Sequence, residues 1–328
     1  MIGWDSIVGH EQTVARLKRL AASERMAHAL LFVGPESVGK YLTARAFAAA
    51  LLCEQEGAPC GTCRSCRLVE QESHPDLVIV RPDKQNIKIA AVRAMQKELS
   101  LAPYMARRRV CIIDEADKMR AEAANSILKT LEEPAGNVVF ILITAKRYQL
   151  LDTIRSRCML VQFGTVGTSE LADALTAGGA DKRDADLAAR LAGGRFAPAM
   201  AILAEDGRSS RQAAADLFFG ALTMRESDIW KTAASWDACE RDEVLRRFAS
   251  LRQLVRDAMV LSAGLEEELV NADWRERFDS VRASWTQRTL SLAMRELVKR
   301  EQSVKNNGNI KLVIEAMLLA WRSTAQRR

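Results

Sequence analysis

Five short apolar runs with polar edges punctuate the first half of the chain: ALLFV (29–33), DLVIV (76–80), VCIID (110–114), VFILIT (139–144) and MLVQF (159–163). Each is nearly continuously apolar rather than alternating. That is the pattern of strands covered on both faces, as in a parallel sheet. Between them, apolar positions recur at helical spacing in YLTARAFAAALLCEQ (41–55) and IAAVRAMQKELS (89–100), and EADKM (115–119) reads as a further helix start. Strand alternating with helix predicts an α/β domain with right-handed crossovers over residues 1–165.

After about residue 165 the strand signals stop. SELADALTAG (169–178), DADLAARLAGG (184–194) and APAMAILAED (197–206) predict a small helical unit over 166–207, with Gly178-Gly179 and Gly193-Gly194 as helix stops. Residues 208–328 read as helical throughout, with polar breaks such as NNGN (306–309). A chain of 328 residues is long for a single core, and two or three domains are expected.

Composition narrows the class. The chain is 48% hydrophobic and 27% charged, which describes a folded rather than a disordered protein. Only 5% is aromatic, in keeping with a helix-rich fold. The net charge of +6 permits nucleic-acid contact without requiring it. No apolar run reaches the length of a membrane span, and the N-terminus lacks the zones of a signal peptide, so a cytoplasmic protein is expected.

The loop GPESVGKY (34–41) follows the first candidate strand and opens a helix, the setting of a phosphate-binding loop. Gly34, Gly39 and Lys40 fit that pattern: backbone N–H groups at a helix start cradle phosphates, and the lysine reaches the terminal ones. The eighth position should offer a small hydroxyl to Mg²⁺, and here it is Tyr41. Its phenol oxygen sits at the end of a long ring, so Mg²⁺ loses an inner ligand. Nucleotide binding without turnover is the expectation that leaves open. Asp114 and Glu115 end the third candidate strand, where one carboxylate can hold Mg²⁺ and the other orient an attacking water; a helix N-cap is the alternative role for Asp114. Thr144 ends the fourth strand, within reach of a γ-phosphate, or as an ordinary β-branched strand residue.

Cys53, Cys60, Cys63 and Cys66 supply four thiolates in fourteen residues. Two C-x2-C steps, with Gly57, Pro59 and Gly61 permitting sharp turns, suit a tetrahedral structural Zn²⁺ with no position left for water. An iron–sulfur cluster takes the same ligands. Cys111 and Cys158 lie in or beside apolar runs, where free cysteine is a common core residue. The three histidines, His10, His28 and His74, form no metal or acid–base constellation. TIRSRC (153–158) carries two arginines ahead of the fifth strand, suited to a neighbour's phosphates or to a surface ion pair.

These pieces, taken together, resemble one family. SIVGH (6–10), the phosphate loop, the four-cysteine insert, HPDL (74–77), IIDEAD (112–117), NSILKTLEEP (125–134), TIRSRC and NNGNIKLVIEAMLL (306–319) stand in the order and spacing of bacterial DNA polymerase III clamp-loader subunits, which are AAA+ proteins. The resemblance spans nearly the whole chain, and the cysteine insert with the SRC motif is its most specific part. It implies an AAA+ domain with a zinc insert at about 53–66, a helical lid and a helical collar. It also implies a five-subunit arc with gamma/tau and delta subunits that opens a sliding clamp and places it on primed DNA. Arg157 would then reach a neighbouring subunit's ATP, with Ser156 and Cys158 shaping the turn, and Lys129 could face DNA phosphates or be simply solvated.

Within the family one kind of subunit hydrolyses ATP and a closely similar one is a rigid partner with a degraded site. Two departures place this chain with the partner: Tyr41, and Ala197 in GGRFAPAMAIL (193–203), where the motor carries a phosphate-sensing arginine. Arg195 lies two residues earlier, on a different helix face. A gamma-type ATPase that tolerates Tyr41 is the alternative. A stand-alone zinc and nucleic-acid module explains neither Asp114-Glu115 nor the helical C-terminal third.

Overall fold

A computed structural model describes residues 2–23, 26–55, 58–134 and 136–326. The five apolar runs form one sheet: β1 (Ala29–Val33), β2 (Leu77–Val80), β3 (Arg109–Ile113), β4 (Val138–Thr144) and β5 (Met159–Gln162). Every pairing is parallel, in the order β2-β3-β4-β1-β5. The sequence boundaries hold to within one residue.

The helices beside the sheet are α1 (Glu11–Ala21), α2 (Lys40–Leu52), α3 (Arg64–Glu70), α4 (Ile89–Leu99), α5 (Ala121–Glu132) and the short α6 (Asp152–Arg155). Strand side chains alternate between two cores, as pleating requires. Leu30, Phe32, Val110, Ile112, Val139 and Ile141 pack with Leu17 of α1 and Phe47 of α2. Leu31, Cys111, Ile113, Phe140 and Leu142 pack with Val92 and Met95 of α4 and Ile127 and Leu131 of α5. With both faces covered there is no polar side to the strands, which is why the runs are almost wholly apolar. Cys111 is one of these core residues, fully buried.

EADKM is not an α-helix. Ala116–Lys118 is a single 3-10 turn, and the α-helix begins only at Ala121. Glu115 in the left-handed region (φ 48°) breaks the helical path before it starts.

By compactness the chain divides into Met1–Ala174 with Gly193–Phe196, and Leu175–Ala192 with Ala197–Arg328. Beyond the sheet come α7 (Thr168–Ala177), α8 (Lys182–Ala192) and α9 (Phe196–Leu203). Gly179, Gly193 and Gly194 follow two of these helices with positive φ, the conformation that ends a helix cheaply only in glycine. The C-terminal part is wholly helical: α10 (Glu205–Gly220), α11 (Glu226–Asp237), α12 (Arg241–Ser262), α13 (Arg275–Val281), α14 (Gln287–Lys305) and α15 (Ile310–Gln326). Its core centres on Phe218, Trp236, Phe248, Trp285 and Trp321, with Phe218 stacked on Trp285 at 4.9 Å.

Candidate functional site

The phosphate loop runs from the carboxyl end of β1 to the start of α2. Gly34 is required by contact: a Cβ there would lie 2.4 Å from the Phe163 carbonyl oxygen. Gly39, at φ 95°, turns the chain into α2. Lys40 is buried, and its ammonium donates to the loop's own carbonyls, Gly34 O at 2.8 Å and Pro35 O at 2.5 Å. Burial lowers its pKa, against the opposing pull of Asp114, Glu36 and Asp117.

Tyr41 does not take up the role of a Mg²⁺ ligand. Its hydroxyl donates to Glu72 Oε1 at 2.8 Å and accepts from Arg81 Nη2. Arg81 also donates to the same Glu72 oxygen at 2.8 Å and lies 4.8 Å from the Tyr41 ring centre. Arg45 completes the cluster, its Nε 3.7 Å from Glu72. Burial and the bond to Glu72 push the phenol's pKa up, so it stays protonated. A phenol held by a carboxylate and a guanidinium is a poor divalent-ion ligand. The Mg²⁺ implied by the fold family therefore does not fit this helix start.

The strand-edge acids are also committed. Asp114 is half-buried and, among the described residues, accepts only its neighbour's N–H, from Glu115 at 3.0 Å, so it does not cap an α-helix. Burial raises its pKa, while that N–H, Arg81 and Lys40 draw it back down. Glu115 is exposed and ion-paired with Lys118. Thr144 is buried; its hydroxyl donates to Asp117 Oδ1 at 2.5 Å and accepts from the Lys146 N–H at 2.8 Å. The sheet brings Lys40, Asp114 and Thr144 to one edge, as the motifs predict, but each side chain has an internal partner.

The four insert cysteines converge, with their sulfurs all within 4.8 Å of one another. Cys53 and Cys63 are 3.8 Å apart, and Cys60 and Cys66 are 4.0 Å apart. Those spacings exclude disulfides, whose sulfurs lie about 2.05 Å apart. They match the edge of a tetrahedron with about 2.3 Å metal–sulfur bonds, roughly 3.8 Å. The Cys63 N–H donates to Cys60 Sγ at 3.3 Å and the Cys66 N–H to Cys63 Sγ at 3.4 Å, while burial pushes the Cys53 and Cys66 thiols up. The bond from Cys63, with those from Thr62, brings the Cys60 thiol down to about 6. The cluster could hold a metal ion. Cys63 caps α3, which shows how the second C-x2-C step folds. Gly57 lies outside the described residues.

Arg157 sits just past α6. Its guanidinium bonds Glu132 at the end of α5, Nε to Oε1 at 2.7 Å, and Nη1 donates to Thr153 O at 2.8 Å. In this chain alone the arginine is an ion-pair partner at the surface, with Ser156 beside it as the second acceptor for Nη1. Cys158 is half-buried and packs against the second sheet core. Lys129 is exposed on α5. Arg195 and Ala197 are both exposed, at the start of α9. The histidines serve the fold: His10 and His28 bond backbone oxygens of Val38 (2.9 Å) and Leu131 (2.8 Å), and His74 accepts from the Asp76 N–H at 3.0 Å.

Sequence reasoning missed Glu72, Arg81, Asp117 and Glu132, the internal partners of the motif residues. Arg81 could have been found, because it follows DLVIV just as Asp114 follows VCII. Glu72 carries no signal: it is 31 residues from Tyr41, in a turn.

Residues 9–167 match the family described as DNA polymerase III, delta subunit, and residues 210–323 match the family described as its C-terminal region. The chain is 31% identical over 324 residues to the DNA polymerase III subunit delta' of Pseudomonas aeruginosa, covering 93% of this chain and 94% of that one. It is 29% identical over 300 residues to the delta' subunit of Bacillus subtilis, covering 90% and 91%. Against the tau subunit of Escherichia coli it is 36% identical over 155 residues, 47% of this chain and 24% of that one. A solved gamma-subunit-related protein of Thermotoga maritima covers 95% of this chain and 99% of its own, at 18% identity and a TM-score of 0.49.

Proposed function

The chain belongs to the DNA polymerase III delta' family, and we propose that it serves the clamp loader as a partner subunit that does not itself turn over ATP. The observation that carries this reading is Tyr41: the residue that should offer Mg²⁺ a hydroxyl is instead bonded to Glu72 and Arg81. In this reading the chain takes one place in a five-subunit arc with gamma/tau and delta subunits. The arc opens the sliding clamp and sets it on primed DNA. Residues 166–207 form a lid, and residues 208–328 form the collar that holds the arc together.

Arg157 is the residue that acts in trans. A guanidinium at a subunit edge can stabilise charge on a phosphoryl group in the neighbour's site. Its half-buried position at the surface past α6 supports this, and its bond to Glu132 would be exchanged for the phosphate on assembly. Zn²⁺ on Cys53, Cys60, Cys63 and Cys66 would tie down the segment between α2 and α3 as a structural site, since four thiolates leave no ligand position for water.

The test is Arg157→Ala in the assembled loader. DNA-stimulated ATP turnover at the site Arg157 serves should fall about a thousand-fold, the usual cost of a lost arginine finger, while assembly is retained. Unchanged turnover in a complete assembly would reject the assignment.

A further inference from the structure

HPDL (74–77) leads from α3 into β2, and its His74 is buried. A buried imidazole needs partners for both ring nitrogens. Nδ1 accepts the Asp76 N–H at 3.0 Å, so it carries no proton. Burial holds the pKa of the ring below its ordinary value, against the pull of Asp76 and Glu54. The ring is therefore neutral at physiological pH, and its one proton sits on Nε2. Nε2 lies 3.3 Å from Ser65 Oγ and donates to it. The Ser65 hydroxyl, also buried, donates in turn to Glu54 Oε1 at 2.9 Å. The bonds thus run one way, from the imidazole through the serine to the carboxylate.

The serine and the carboxylate sit against the cysteines. Glu54 follows Cys53, the first of the four, and Ser65 precedes Cys66, the last. Cys53 closes α2 and Cys66 lies in the first turn of α3, so the Ser65–Glu54 bond joins the two ends of the segment that carries the sulfurs. The far end of α3 is held separately, by Arg45 of α2, which donates to the Val69 and Glu70 carbonyls. The near end, with Cys63 and Cys66, is backed by Ser65, and Ser65 by His74.

We infer that His74 is a positioning residue for a metal ion on Cys53, Cys60, Cys63 and Cys66: through Ser65 and Glu54 it fixes the two ends of the insert, so that the first and last sulfurs stand ready for one ion. His74 is not itself a ligand. Its Nε2 proton fills one side of the serine oxygen and leaves the serine's own proton for Glu54. Side chains behind the ligands raise metal affinity because they orient the ligands in advance. The inference rests on the reading of the cluster as a structural zinc site, and it fails separately: whether the chain holds zinc tests that reading, and how His74 variants release zinc tests this one.

The experiment follows zinc release from the full chain, purified under reductant, to an excess of a colorimetric chelator, with thermal melting alongside. Substitution separates the two ring nitrogens. His74→Gln keeps a donor at the Nε2 position and loses the Nδ1 acceptor; His74→Asn keeps the acceptor and loses the donor. Zinc should leave His74→Asn and Ser65→Ala about ten- to a hundred-fold faster than the wild type, the usual cost of a lost partner behind a metal ligand. His74→Gln should release zinc at close to the wild-type rate, yet melt lower, because the buried Asp76 N–H loses its acceptor. A histidine that served stability alone would move both readouts together. Release from His74→Asn at the wild-type rate, or from His74→Gln as fast as from His74→Asn, would overturn the inference. If neither His74 variant folds, Ser65→Ala decides: faster release with an unchanged circular dichroism spectrum supports the inference, and unchanged release overturns it. A wild type that carries no zinc removes the structural-site reading and this inference with it.

Discussion

Asp76 has no exposed surface, yet it is a charged side chain. It is tolerable because its two oxygens accept the N–H groups of Tyr104 (2.6 Å), Met105 (2.7 Å) and Ala106 (2.9 Å), with Arg109 3.7 Å away. Burial alone would raise its pKa; the three backbone donors and Arg109 outweigh it, and the carboxyl is held below its ordinary value of 3.8. The sign for stability follows from linkage. A carboxylate with a lowered folded pKa contributes fully above its unfolded value and loses that contribution as pH falls through the folded one. The wild type should therefore keep this contribution from neutrality down to about pH 5 and lose it progressively below about pH 4. Asp76→Ala leaves three N–H groups unpaired in the interior and takes the counter-charge from Arg109, whose guanidinium keeps only the Glu98 and Ala102 carbonyls, a loss of about 3–5 kcal/mol. Denaturant unfolding of both proteins across this range checks it: the gap between them should narrow toward acid, and a gap that is constant with pH would mean the charge is not the source.

At the scale of elements, the sequence was most legible where packing and periodicity agree. All five strands were visible because each must be apolar on both faces, and α2 and α4 because each shows one sustained helical pattern. The order β2-β3-β4-β1-β5 was not legible, because register between strands far apart in sequence leaves no local trace. EADKM misled because its composition is helical while Glu115 adopts positive φ. The insert shows the opposite case. Among the described residues between Leu52, the end of α2, and Arg64, the start of α3, there is no regular element, yet the four sulfurs converge as the spacing predicts. Cysteine spacing encodes a local constraint, so it survives translation into structure better than any long-range partner. If zinc is that constraint, the purified chain should carry it stoichiometrically by elemental analysis. Cys60→Ser should shed the metal and lose at least about 2 kcal/mol, some 4–8 °C in melting for a unit of this size. A wild type that holds far less than stoichiometric zinc and melts unchanged after chelation would remove the metal from the account.

For the whole molecule, the proposed lack of ATP turnover has to come from the setting of the site residues. Motif by motif the sheet edge looks intact: Gly34, Gly39, Lys40, Asp114, Glu115 and Thr144 are all present. Their side chains have partners within the chain. Lys40 rests on its own loop, Glu115 pairs with Lys118, Thr144 bonds Asp117, and Tyr41 is locked to Glu72 and Arg81. Ala197, which the proposed reading sets where a motor subunit carries a phosphate-sensing arginine, lies in a different compact unit of the chain from Tyr41. Hydrolysis needs metal, phosphate sensor and positioned water together, so two separated defects should not be cured singly. Steady-state ATP turnover by the purified chain, with Mg²⁺ and primed DNA, should be at background for the wild type and for Tyr41→Thr. It should rise measurably only when Tyr41→Thr is combined with Ala197→Arg. Recovery by Tyr41→Thr alone would place the whole defect at the metal position. Robust turnover by the wild type would show that the phenol is no obstacle, and the chain would then be a motor subunit of the gamma kind.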